Sequence, residues 1–270
     1  MCQFALLLGF NSVLIMSKGQ DFRLIDLSHT IENGLVTYKG LPAPVICDYL
    51  SREDSRKFYA PGTEFQIGKI EMVANTGTYI DCPFHRYADG QDLSEVPPEN
   101  FMELPGVVIS VPHTGTLAVT ADHLRGRKSD GRPIQRGAAG PTGRGAAGST
   151  GRGAGGSMRG HAVLIHTGWA AHWNTERYYE NHPYLTEDAA QWLRDCGVKL
   201  VGIDSHNIDD TRGNSRPVHT TLLGAGILIV EHLCHLEDLP PDGFIFSAIP
   251  PKFKGVGTFP VRAMAKVERG

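Results

Sequence analysis

The run Asn75-Thr76-Gly77-Thr78-Tyr79-Ile80-Asp81-Cys82-Pro83-Phe84-His85 decides how this chain is read. Extended backbone alternates side chains between two faces, so Asn75, Gly77, Tyr79 and Asp81 fall on one of them. A helix would align 75 with 79 and swing 81 away. The strand reading therefore brings a carboxamide, a phenol and a carboxylate to one place. Pro83 has no amide donor and ends the ladder, and His85 follows at once. Gly77 leaves room beside them for a ligand or another backbone. The same string also fits an ordinary strand end, with Asp81 capping a turn and His85 solvated, and short motifs often mislead in this way. The neighbouring segments carry the decision.

Just upstream, Phe65–Val73 (FQIGKIEMV) alternates as a half-buried strand feeding the motif, and the charged patch Ser51–Lys57 reads as a mobile surface loop. Further back, Phe22–Leu27 (FRLIDL) is a strand, with His29 in the turn that follows. Downstream, Val107–Val111 (VVISV) and His161–His166 read as buried strands, the second leaving through Thr167-Gly168-Trp169. A helix then starts at the N-cap Thr186 with acids in its first turn, aligns Ala189, Ala190, Leu193 and Cys196, and stops at Gly197. Val198–Ile203 is the next strand and ends at Asp204-Ser205-His206-Asn207. Strand, helix, strand is a βα unit, and polar residues just past a strand's end are where such sheets place sites. Val218–Leu223 leads into the strand Gly226–Val230, closed by Glu231. Gly243–Ile249 and Phe259–Val267 supply the last strands.

The totals fit this picture. The 270 residues are 41% hydrophobic and 20% charged with a net charge of −3, enough for a sizeable core and without an overall drive toward nucleic acid or an anionic membrane. Five widely spaced cysteines with no C-x-x-C argue against a disulfide framework, so a reducing cytoplasm is the expected location. Residues 1–16 are apolar but lack a basic leader and are too short to span a bilayer, so 1–20 is taken as an N-terminal extension. The domain proper is 21–270. Within it, 129–159 carries three eight-residue repeats starting at Arg136, Arg144 and Arg152, nearly without large apolar side chains. Such a segment cannot offset its ordering entropy and reads as a flexible Gly/Arg-rich insert.

Strand ends thus present Asp81, His85, Asp204, His206, His219 and Glu231, a fair oxygen and nitrogen set for zinc or manganese. By spacing alone, a core histidine and a solvated glutamate explain them as well.

The central stretch resembles the H-x-G-T-H-x-D-x-P-x-H motif of the metal-dependent cyclase/hydrolase family, of the kynurenine formamidase and isatin hydrolase type. Leu27-Ser28-His29, His166-Thr167-Gly168-Trp169, Gly202-Ile203-Asp204 and the His219 to Glu231 segment follow in the family's order, so the resemblance spans most of 23–267. It implies an α/β fold, a swivelling β/β/α single domain with a mixed β-sheet core, a homodimer or homotetramer, and hydrolysis of an amide, formamide or lactam-like bond. By position, Asp81, His219 and Glu231 match metal ligands and His85 the proton-transferring histidine. Asn75 and Tyr79 replace the family's first two ligand histidines, and neither a neutral amide nor a phenol binds divalent ions well. The expectation is therefore one divalent ion, zinc or manganese, on Asp81, His219 and Glu231, with a metal-free centre as the competing case. His85, Asp81 and Tyr79 are the expected catalytic groups, and Asn75, Phe65, Trp169 and His206 the expected substrate contacts. The alternatives on the same scaffold are a metal-independent cyclase, lyase or isomerase, and a small-molecule binding protein.

Overall fold

A computed structural model describes residues 21–112, 116–125 and 158–269. The extension expected at 1–20, and the insert at 129–159 apart from its last two residues, lie outside the described residues. In chain order the strands are β1 (Phe22–Asp26), β2 (Val45–Leu50), β3 (Ile67–Glu71), β4 (Tyr79–Asp81) and β5 (Leu104–Ser110). They continue with β6 (Ala118–Val119), β7 (Ala162–His166), β8 (Tyr184–Leu185), β9 (Leu200–Ile203) and β10 (Leu228–Glu231), then β11 (Phe244–Ile249), β12 (Thr258–Pro260) and β13 (Arg262–Glu268). The helices are α1 (Arg52–Ser55), α2 (Ala121–Arg125), α3 (Glu187–Asp195) and α4 (Pro217–Gly224).

Nine strands form one sheet in the order β1-β13-β11-β5-β7-β9-β10-β4-β12. The middle four, β5, β7, β9 and β10, run parallel, and antiparallel strands extend the sheet on both sides. The apolar runs of β7, β9 and β10 are buried on both faces, as parallel strands between two layers must be. One face packs on the helices, where Ala189, Ala190, Leu193, Val218 and Leu222 meet Val163, Ile165, Val201 and Ile229. On the other face the sheet curls over itself, so that Ile80 and Val230 share a core with Ile25, Phe246, Ala263 and Ala265 from its far end. Burying each of these large side chains stabilises the fold by roughly 1.5–3 kcal/mol. The result is a single mixed α/β domain built on a large curled sheet, as the resemblance implied. Among the described residues no helix is long and apolar enough to cross a membrane.

Several local expectations differ from the structure. The half-buried strand read at Phe65–Val73 is β3, exposed throughout and paired only with β2 in a separate ribbon. Ile67 and Ile70 lie on opposite faces of it, and both are exposed in the single chain. The loop at 51–57 contains α1, whose Ser51 hydroxyl accepts from the Asp54 amide at 3.0 Å. His219 does not end a strand but lies in the first turn of α4, which starts on Pro217. Thr186 precedes α3 without a side-chain cap; its hydroxyl goes to Asp188 at 2.5 Å. Gly77 makes no room for a ligand: its φ is +66°, and an added Cβ would lie 2.6 Å from the Ile31 side chain.

Candidate functional site

β4 is three residues long and lies between β10 and β12. The register sets Tyr79 opposite Glu231 on one side and Asp81 opposite Thr258 on the other. Side chains directly across from each other in a ladder are close enough to bond. Both pairs do. The Tyr79 hydroxyl donates to Glu231 Oε2 at 2.5 Å, and the Thr258 hydroxyl donates to Asp81 Oδ1 at 2.5 Å. Pro83 opens a 3-10 turn, Pro83–His85, which ends the strand and turns His85 back toward it. Thr258 Oγ1 then lies 2.7 Å from His85 Nδ1. With the threonine proton given to Asp81, Nδ1 is the donor, and in the neutral imidazole the lone pair is then on Nε2. β12 passes so close that a Cβ on Gly257 would lie 2.4 Å from the His85 amide nitrogen.

The fourth element is α4. Asp209, in the segment after β9, accepts the amides of Val218 at 2.8 Å and His219 at 3.0 Å, two of the orphan donors at the helix start. The same carboxylate holds His219 Nδ1 at 2.6 Å. One aspartate therefore caps the helix and fixes the ring, and Nε2 is left aimed at the two strands. It lies 3.7 Å from Asp81 Oδ2 and 3.8 Å from Glu231 Oε1.

Burial works against a charged His219 ring, but the Asp209 hydrogen bond, Asp81 and Glu231 outweigh it and raise its pKa to about 10. Burial raises the Glu231 carboxyl above the ordinary carboxylate range, with Asp81 adding to the effect and His219 opposing it. The Tyr79 and Tyr38 phenols are pushed well up by burial and then by Glu231, so both stay protonated.

The carboxylates differ in what is left over. Glu231 accepts from Tyr79 and Asn207 at Oε2 and from the Ile208 amide, at 2.6 Å, at Oε1. Asp81 is fully buried, yet its Oδ2 has no hydrogen-bond partner. An orphaned buried carboxylate oxygen beside an imidazole nitrogen fits a divalent ion, and the Asp209 carboxylate behind His219 is the support that metal-bound histidines commonly have. Asp81, His85 and His219 bring donor atoms within 4.8 Å of one another.

These groups form the floor of a cavity of about 670 Å³, which Asn75, Tyr38, Leu41, Arg86, Asn207 and Arg216 also line. Of the expected site residues, Asn75, Tyr79, His85, His219 and Glu231 line it, with Asp81 beneath. Phe65, Trp169 and His206 are not among the lining residues. Phe65 packs its ring on Tyr59 by the ribbon, and Trp169 is buried with its indole N–H on the Tyr178 carbonyl at 3.0 Å. His206 is buried under the Tyr38 ring, their centroids 4.4 Å apart. Asp204 is structural: it accepts from Thr167 and Gly168 and ties the ends of β7 and β9. Asp209 and Thr258 were not anticipated. Proline at a helix start, preceded by an aspartate past a strand end, was a legible signal for the first; nothing local marks the second.

A family model described as "Putative cyclase" matches residues 25–210. The kynurenine formamidase of Bacillus cereus is 24% identical over 246 residues, covering 90% of this chain and 96% of that protein. That of Salinibacter ruber is 25% identical over 243 residues, covering 90% and 97%. Among solved structures, isatin hydrolase A from Labrenzia aggregata bound to benzyl benzoate superposes with a TM-score of 0.70 at 21% identity, covering 92% of this chain and 94% of that one. A "potential metal-dependent hydrolase with cyclase activity" gives 0.66 at 23% identity, covering 93% and 100%.

Proposed function

Because the chain belongs to the putative cyclase family, we propose that it is an enzyme hydrolysing an amide, formamide or lactam-like C–N bond of a small molecule. The observation that carries this is the His85–Thr258–Asp81 relay on the cavity floor, facing His219. Names of relatives that are amide hydrolases support the same reading.

Asp81 and His219 would hold one divalent ion, zinc or manganese, with Glu231 adding its charge beside the same imidazole nitrogen. A bound ion of this kind polarises a carbonyl and lowers the pKa of water at the site. The protein's own groups do the rest. His85 Nε2 takes the proton of the attacking water, and the imidazolium so formed keeps its Nδ1 proton, which donates to the Thr258 hydroxyl that is itself bonded to Asp81. The same imidazolium then returns its proton to the leaving nitrogen. Asn75, which lines the cavity, would donate to the developing oxyanion. Tyr79 spends its proton on Glu231 and acts by holding that carboxylate.

The test uses untreated, chelator-stripped and reconstituted protein against formanilide-like and lactam substrates. We expect hydrolysis to follow the content of one metal equivalent. Equal rates in stripped and loaded protein would transfer the chemistry to the relay alone, as in a metal-independent enzyme. No turnover in any of the three samples would overturn the hydrolase reading.

The proposal extends to assembly. Half of the exposed large apolar side chains among the described residues fall between Val45 and Ile70, on the ribbon and the segment inside it. A two-stranded ribbon is marginal by itself, and apolar groups on both of its faces suit burial against a second copy. Light scattering should report a homo-oligomer, and Ile67→Lys with Ile70→Lys should dissociate it.

A further inference from the structure

The floor of the cavity accounts for cleavage but not for what is cleaved. Pockets for small molecules are mostly walled by apolar and aromatic side chains, with a few polar groups to fix orientation. This one is the reverse. Among the described residues that line it, only Leu41 and Pro217 have wholly apolar side chains, and its benzene rings are the phenols Tyr38 and Tyr79. Both phenols already donate within the protein, Tyr79 to Glu231 and Tyr38 to the His206 carbonyl at 3.1 Å. The two arginines of the lining, Arg86 and Arg216, are matched in number by two acids, Glu187 and Glu231, so charge singles out no ionic ligand.

What remains is neutral and polar, and it comes from one short stretch. Asn214 and Ser215 lie just before α4, and Thr220 and Thr221 lie three and four positions after Pro217, on one face of that helix. Val218 and Leu222 of the same helix go to the core instead. The side chains of Asn214, Ser215 and Thr221 make no hydrogen bond among the described residues. Thr220 Oγ1 accepts from Arg86 Nε at 3.2 Å and keeps its own proton to give. Both threonines are half-buried, where a polar group short of partners costs more than it does on an open surface. A hydroxyl donates one hydrogen bond and accepts others, and a carboxamide does both as well. Ligand hydroxyls have the same dual character and pair with such groups in either sense. Thr220 follows His219 in the chain, and Arg86, which it touches, follows His85, so this face begins beside the reacting centre.

Resting on the hydrolase reading above, we infer that the substrate is a neutral, polyhydroxylated amide or lactam of sugar-like build. Its hydroxyls bond to Asn214, Ser215, Thr220 and Thr221 while the C–N bond lies over His85. The cavity, at about 670 Å³, is of ordinary size for such a molecule.

Two matched pairs of neutral compounds test this: N-formylglucosamine against N-formylcyclohexylamine, and glucono-δ-lactam against δ-valerolactam. The members of each pair share the scissile bond and the ring size and differ in their hydroxyls. Values of kcat/KM are measured with the native protein, the double variant Thr220→Val with Thr221→Val, and Thr30→Val, an exposed position outside the cavity. Calorimetry on the same samples measures binding of the two lactams. The expected result is a native preference for the hydroxylated member of at least about tenfold in one pair or both. That preference should fall by about tenfold in the double variant and persist in Thr30→Val. Should the double variant not fold, Thr221→Val, which removes no contact within the described residues, should lower the preference severalfold. Equal handling within both pairs by the native protein would overturn the inference, and so would a preference unchanged by the threonine substitutions. If no compound is hydrolysed, the hydrolase reading fails and binding still decides the wall's role. Tighter binding of glucono-δ-lactam than of δ-valerolactam, weakened by the threonine substitutions, would uphold that role, and equal binding would remove it.

Discussion

The two edges of β4 make an instructive pair, since each presents a carboxylate contact in ladder register and the two are opposite in kind. On the β10 edge, Glu231 has both oxygens accepting from the protein, through Tyr79, Asn207 and the Ile208 amide. On the β12 edge, Asp81 receives one hydrogen bond, from Thr258, and keeps a buried oxygen without a partner. A saturated carboxylate anchors. An unsatisfied one is held ready, because a buried charge left short of partners gains most from a cation or a proton relay. The same strand thus separates support from chemistry by which neighbour each residue faces.

The sharpest way to break this contrast is to remove each charge in turn. Asp81→Asn should lower kcat/KM on the order of a thousandfold or more and strip the metal, whereas Glu231→Gln should keep most of the metal and lose stability instead, by about 1–3 kcal/mol. Elemental analysis beside kinetics reads both, and equal metal loss in the two variants would erase the distinction. Thr258→Val comes next. It leaves Asp81 and His85 in place but cuts the relay, so kcat should drop by roughly tenfold to a hundredfold with KM little changed. Tyr79→Phe is milder in rate. It takes one donor from Glu231, and denaturation should show a cost of about 1 kcal/mol while activity falls only severalfold.

The smallest effect concerns the packing behind the Glu231 edge. His206 lies under Tyr38 and burial lowers its pKa to about 3, with the charges of His182 and Lys39 adding to this. His29, stacked on Trp173, is lowered to about 4, chiefly by burial and then by His235. Both folded values lie below the unfolded one, so the unfolded chain binds more protons between them. The stability they contribute is complete above about pH 6.5 and is lost as pH falls toward 4 and below. Urea midpoints should therefore drop between pH 7 and pH 5, and by less in His206→Phe.

Much of the architecture was legible because it rests on local rules. The branched runs at 162–166, 200–203 and 228–231 are strands wherever they occur, and Gly197 ends α3 as such a glycine does, at a φ of +71°. Asp81 and His85 were legible for the same reason, a two-residue alternation closed by proline. His219 was found by resemblance and misplaced by pattern, since PVHTTLLG has no strong helical stripe and forms α4 through Pro217 and the Asp209 cap. Thr258 lies 177 residues from Asp81 and meets it only through strand pairing, which no window of sequence displays. Trp169 and His206 lie just past strand ends, where polar or aromatic groups suggest contact with a ligand, and the structure buries both, Trp169 on the Tyr178 carbonyl and His206 under the Tyr38 ring.

The near-contact between Gly257 and the His85 backbone carries a consequence for how this centre tolerates change. Even a methyl group at 257 would have to push aside main chain, because the nearest atoms are His85 N and Cα at 2.4 and 2.5 Å. A mutational scan would therefore flag position 257 as intolerant although it offers no functional group to any reaction. Its contribution is an empty volume, and the aim of the imidazole depends on that emptiness as much as on the side chains around it.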